Sequence, residues 1–218
     1  MLKVFILITG LSFAVTLSGQ VMKVNGTTIN QSGGGPNDCN VGGYKLKGQA
    51  NTIGNCIAFT QLPFQNGAIW ACDVLDLNLS FKVTFQTNFD NINTGDGIAF
   101  VLQSEGVPSV LGGQGGGIGY SIGNQTGCLG GNCIIDPSVV VEFDIWDNSV
   151  DFWDMSNPGL GTINDISCDH VSIQTDGVQL GSNALVPPAC LLPGGADVTT
   201  GMAYDVCITW DVAALEYK

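Results

Sequence analysis

From Tyr44 onward, short apolar runs alternate with turn residues along the chain. Ala68–Cys72, Leu79–Phe85 and Gly97–Leu102 are predicted strands, rich in Ile, Val, Phe and Trp. In Leu79–Phe85 apolar and polar side chains alternate strictly, which predicts one buried face. Ser138–Trp146 is the strongest strand signal, and His170–Gln174 and Tyr204–Trp210 follow it. No long stretch carries a helical period, and no internal repeat is present. Many short strands punctuated by turns predict an all-β fold, an antiparallel β-sandwich. The glycines of 111–119 predict a loop whose backbone few other residues allow.

The first twenty residues change the picture at the N-terminus. Lys3 supplies a positive start, Val4 to Val15 an apolar stretch, and Thr16, Ser18 and Gly19 small residues for cleavage near 18–20. That pattern is a signal peptide, so residues 1–19 are left out of the fold. The run is short for a membrane span, and no second hydrophobic stretch follows it. The expectation is a secreted or cell-surface chain without an integral span. Residues 20–43 are predicted to be a loose segment rich in Gly, Asn and Ser, and 44–218 one domain. The chain stops at Ala213–Lys218, which reads as the opening of a hairpin without its return strand. The expectation is a domain incomplete at its C-terminus.

Composition narrows the partners. The formal net charge is −13 with six Lys and Arg, so no basic stripe is available for nucleic acid. The eight cysteines, an even number in an exported chain, suggest disulfides. Cys128 with Cys133, and Cys168 with Cys190, are plausible short closures. No close Cys-x-x-Cys pair points to zinc. Asn-x-Ser/Thr sequons stand at Asn25, Asn30, Asn78 and Asn124, and they count only in a glycosylating host.

The chemistry sits on the strand around residue 142. Alternation turns Val139, Val141, Phe143 and Ile145 one way and Glu142, Asp144, Trp146 and Asn148 the other. Two carboxylates side by side on one face repel, and burying them without a partner is costly. A bound cation resolves that conflict. Hard cations take carboxylate, amide and carbonyl oxygens, which this strand offers within seven residues. Asp165, Asp169 and the single histidine, His170, follow. An imidazole beside carboxylates suits a transition ion such as Mn²⁺, and the all-oxygen half suits Ca²⁺.

Val141–Asn148, followed by Asp165 and His170, resembles the metal-binding segment of the L-type, or legume-type, lectins. Gly95–Phe100 resembles that family's A-D-G-[IL]-A-F strand, and Gly115–Gly119 its G-G-x-L-G loop. The three motifs occur in family order across residues 44–218. The resemblance implies a concanavalin-like jelly-roll sandwich that binds glycans or polysaccharide. It implies a transition ion on Glu142, Asp144, Asp165 and His170. It also implies calcium on Asp144, Asn148, Asp165 and the backbone carbonyl of Trp146. Asp96, Gly116 and Asn148 would hydrogen-bond the sugar, and the Trp146 ring would stack on it. A cis peptide would precede Asp96. The sequence departs from the family where Gly95 stands for the usual Ala and Trp146 for the usual Phe or Tyr. Between Asn148 and Asp165 the insertion is long, and Asp147, Asp151, Asp154 and Asp169 compete for the role given to Asp165.

Two other classes stay open at this level. Some endo-glycanases share the jelly-roll and carry paired carboxylates on one strand, for which Glu142 and Asp144 would serve. Asp147 has the wrong parity to complete such a pair with Glu142. A structural or adhesive module could also keep the sandwich and bind no sugar. The leading expectation is a binding domain, not an enzyme.

Overall fold

Phe81, Val83 and Phe85 are spaced two apart, so all three side chains leave the same side of one strand. Ile98, Phe100 and Leu102 do the same on a second strand, and Val141 and Phe143 on a third. Burying these rows against one another, at about 1.5–3 kcal/mol for each large apolar side chain, organises the fold. A computed structural model describes residues 3–5, 22–23, 44–53, 56–60, 65–71, 75, 77–89, 95–104, 111–122, 133–147, 166–179, 184–211, 213–214 and 216–217.

The strands in chain order are β1 (Lys3–Phe5), β2 (Met22–Lys23), β3 (Tyr44–Gly48), β4 (Asn51–Ile53), β5 (Cys56–Ala58), β6 (Gly67–Ala71) and β7 (Phe81–Asn88). They continue with β8 (Gly97–Gln103), β9 (Ser138–Asp144), β10 (His170–Thr175), β11 (Val186–Cys190), β12 (Ala203–Asp211) and β13 (Glu216–Tyr217). A five-stranded sheet runs β1-β8-β9-β10-β11 and a four-stranded sheet β13-β12-β7-β2. Every pairing is antiparallel. Val83 and Phe85 of β7 and Ile208 of β12 share one core with Ile98, Phe100, Leu102, Val141 and Phe143 of the larger sheet. Two antiparallel sheets facing across one apolar layer make a β-sandwich, as the sequence pattern predicts.

The larger sheet is also covered on its other face. Ala99, Val101 and Val140 pack there against Ala68 and Trp70 of β6 and against Leu111, Ile118 and Tyr120 of the glycine-rich segment. Burial on both faces explains why β8 reads as a continuous apolar run. Toward the other end of β9 this second layer changes character, and Glu142 and Asp144 replace Val140.

Several elements differ from the sequence reading. β7 begins at Phe81, not Leu79, because Leu79 lies in the preceding turn and is exposed. β11 contains Pro187 and Pro188 and gives no strand signal, yet an edge strand tolerates proline. Met22–Lys23, in the segment expected to be loose, pairs with Phe85 and Thr84 of β7. Lys3–Phe5, in the stretch left out as a leader, pairs along β8 from Gln103 to Val101. Open strand edges offer unpaired N–H and C=O groups to any extended segment. The return strand expected beyond residue 218 already begins at Glu216 and Tyr217, opposite Asp211 and Trp210. Ala213 and Ala214 make the turn, both N–H groups donating to Asp211 Oδ1.

Cys168 and Cys190 are disulfide-bonded, and Cys133 is in a disulfide as well. Cys128 lies outside the described residues. Cys207 is free and exposed, so the eight cysteines do not form four bridges. Its place opposite Thr84 on the outward side of β12 sets no cysteine beside it in the register.

Candidate functional site

Two ladders cross the larger sheet at the acidic end of β9. Ala99, Glu142 and Ser172 stand side by side on β8, β9 and β10, and Gly97, Asp144 and His170 form the next row. Direct cross-strand partners share a face with Cβ atoms about 4.5–5.5 Å apart. Gly97 is packed so closely there that a Cβ on it would stand 2.2 Å from the Phe143 carbonyl oxygen. Glu142, Asp144 and His170 are each only 2% exposed. Strand parity places Glu142 and Asp144 on one face, as the sequence pattern predicts, and the β9–β10 register adds His170.

Glu142 is held by side chains. Tyr120 Oη donates to its Oε1 at 3.0 Å and Gln179 Nε2 to the same oxygen at 3.0 Å. Ser172 Oγ donates to Oε2 at 2.9 Å and Gln174 Nε2 at 3.3 Å. A carboxylate has about four lone-pair directions, and these four neutral donors use them. Gln179 Nε2 also donates to the carbonyl of Gly116. Sequence reasoning misses Tyr120, Gln174, Ser172 and Gln179 as partners. Ser172 and Gln174 do carry a signal, since polar residues at i and i+2 of a strand predict a buried polar stripe.

Asp144 and His170 sit one row further along. His170 Nδ1 lies 3.1 Å from the carbonyl of Cys168. A carbonyl oxygen only accepts, so Nδ1 carries a hydrogen toward it. Asp144 Oδ1 accepts from the backbone N–H of Trp146 at 2.8 Å. One buried carboxylate and one imidazole are thus cross-strand partners. Both oxygens of Glu142 are already hydrogen-bonded to neutral donors. Among the described residues no three His, Cys, Asp or Glu side chains stand together as a metal cluster. Asn148 and Asp165, expected as ligands, lie outside the described residues, as do Asp151 and Asp154.

The described residues expected to face a sugar, Asp96, Gly116 and Trp146, lie toward the same end, and Asn148 lies outside the described residues. The Gly95–Asp96 peptide is cis, as the resemblance implies. Ile145 N–H donates to the Asp96 carbonyl at 2.9 Å, which ties Asp96 to the end of β9. Gly95 has φ +60°, and a Cβ built there would lie 2.8 Å from Trp146 Cβ and 2.9 Å from Cγ. Trp146 is 39% exposed and Asp96 half-buried. The Trp146 side chain thus packs against the residue that precedes Asp96. Gly116, in the short 3-10 turn Gly115–Gly117, is reached from the Glu142 side through Gln179.

A second acidic pair flanks His170. Asp169 Oδ2 accepts from Val198 N–H at 2.7 Å. Burial pushes the Asp169 carboxyl up, the charge and hydrogen bond of Asp197 add to this, and the Val198 N–H and His170 oppose it. Asp197 is held below the usual carboxylate range by the Thr199 hydroxyl, then by the Thr199 N–H. Asp147, the other described competitor for the Asp165 role, is exposed after Trp146.

No protein-family model matches the chain. Fold and site define an antiparallel β-sandwich with a buried polar ladder on one sheet and a part-exposed tryptophan at its end.

Proposed function

We propose that the chain is a carbohydrate-binding domain of a secreted or cell-surface protein, of the L-type lectin kind and without turnover. The observation that carries this reading is the part-exposed Trp146 side chain lying against Gly95, the residue before the half-buried Asp96. A tryptophan that is 39% exposed against the residue preceding an acidic one suits a sugar, which has an apolar face and a rim of hydroxyls. In this reading Asp96 accepts from two hydroxyls, the backbone N–H of Gly116 donates, and Asn148 adds an amide. Trp146 covers the apolar face of the ring.

Asp144 and His170, with Asn148, Asp165 and the Trp146 carbonyl, would hold calcium or a transition ion. Such a cation would neutralise the carboxylates and order the segment from Trp146 onward. The state of Glu142 favours binding over hydrolysis. A glycosidase nucleophile must reach the anomeric carbon, and Glu142 is 2% exposed with both oxygens engaged. Glycan-array binding by the full chain, by Asp96→Asn and by Trp146→Ala tests the reading. Binding to a defined glycan subset that both variants lose supports it, and native binding that both variants retain rejects it.

A further inference from the structure

We propose that Glu142 and Gln179 are positioning residues that fasten the Gly115–Gly117 turn to the sheet without a metal ion. The resemblance would make Glu142 a cation ligand. The geometry gives it another task. Its four donors come from three places: Tyr120 after the turn, Ser172 and Gln174 on β10, and Gln179 beyond β10. The turn is reached twice. Tyr120 Oη meets Glu142 directly, and Gln179 Nε2 joins the Gly116 carbonyl to Glu142 Oε1.

The turn is already bonded within itself. Ile118 N–H donates to Gly115, Tyr120 N–H and Ser121 N–H to Gly117, and Gly119 N–H to Gly113. Ile118 and Tyr120 pack on Ala99, Val101 and Val140 of the sheet, and the Gln179 amide adds a polar tie from the Gly116 carbonyl to Glu142. A network of this kind is worth most when every member is satisfied, as here each Glu142 oxygen is. The cross-strand pair Asp144 and His170 stands one ladder row away and takes no part in these bonds. The proposal rests on the proposed function only for what the turn is for, namely to present Gly116 to a sugar.

Hydrogen exchange on the full chain tests it without any sugar. In the native chain the amides of Ile118, Gly119, Tyr120 and Ser121 should exchange at rates equal within about twofold with Ca²⁺ and Mn²⁺ present or after EDTA. Gln179→Leu should speed them about tenfold or more while β7 and β12 amides hold their rates. Gln179→Lys, which still donates to both oxygens, should restore protection. Acceleration of about tenfold in the native chain on chelation would overturn the proposal. Unchanged exchange in Gln179→Leu would overturn it as well. Failure of the glycan array with this exchange pattern intact would remove the sugar reading alone.

Discussion

Gly95 lies against Trp146 so closely that a methyl group on it would stand 2.8 Å from Trp146 Cβ and 2.9 Å from Cγ. The atoms it would meet are ones that Phe and Tyr also carry, so Gly95 makes room for an aromatic side chain at position 146 whichever ring stands there. Gly95→Ala should displace the ring, with a further cost of about 1–3 kcal/mol for a non-glycine residue at positive φ. Thermal unfolding should report the lower stability, and glycan binding should fall with it.

Trp146→Ala should behave differently. The Trp146 side chain is part-exposed, and its backbone N–H, which holds Asp144 Oδ1, survives the change. Stability should move by no more than about 1 kcal/mol, while the loss of the stacking face should cost binding about 1 kcal/mol or more. Parallel denaturation and binding titrations separate the two effects.

Glu142 should prove structural. Glu142→Leu removes the buried acceptor of Tyr120 Oη, Ser172 Oγ and two glutamine amides, while the amides keep Ser172 Oγ and the Gly116 carbonyl as acceptors. At about 1–3 kcal/mol for each buried unpaired group, and with partial rescue by rearrangement, a net loss of about 3 kcal/mol is expected. Glu142→Gln keeps two acceptor lone pairs and should lose less. Urea midpoints of the two variants check the order.

The acidic part of this arrangement is legible in the sequence because strand parity is a strict rule. Glu142 and Asp144 had to share a face, whereas His170 comes beside Asp144 only through the register of β10 on β9. The remainder depends on register and on chain returning from a distance. Tyr120 reads as core and is core, yet its hydroxyl reaches Glu142. Gln179 lies in a turn region that no pattern marks. β11 stayed hidden because two prolines outweigh its extended backbone, which only an edge position permits.

Asp169→Asn should alter the pH dependence of stability. A folded-state value raised above the unfolded one gives stability that is full below the unfolded value and lost as pH rises through the folded value. Asp197, lowered by Thr199, contributes above its unfolded value and loses that contribution as pH falls through its folded value. The Asn side chain keeps an acceptor for Val198 N–H and a donor for Asp197, and it does not ionise. The variant should match the native chain in acid and exceed it near neutral pH. Denaturant midpoints at the two pH values measure this, and a variant less stable near neutrality would count against the assignment.

The central claim is a cation-dependent sugar site that includes Asp96 and Trp146. A glycan array probed with the full chain in Ca²⁺ and Mn²⁺, and again after exhaustive chelation, tests it most directly. The expected result is binding to a restricted set of glycans that chelation abolishes and added cation restores. Absence of glycan binding with both ions present, or binding unchanged by chelation, would contradict it.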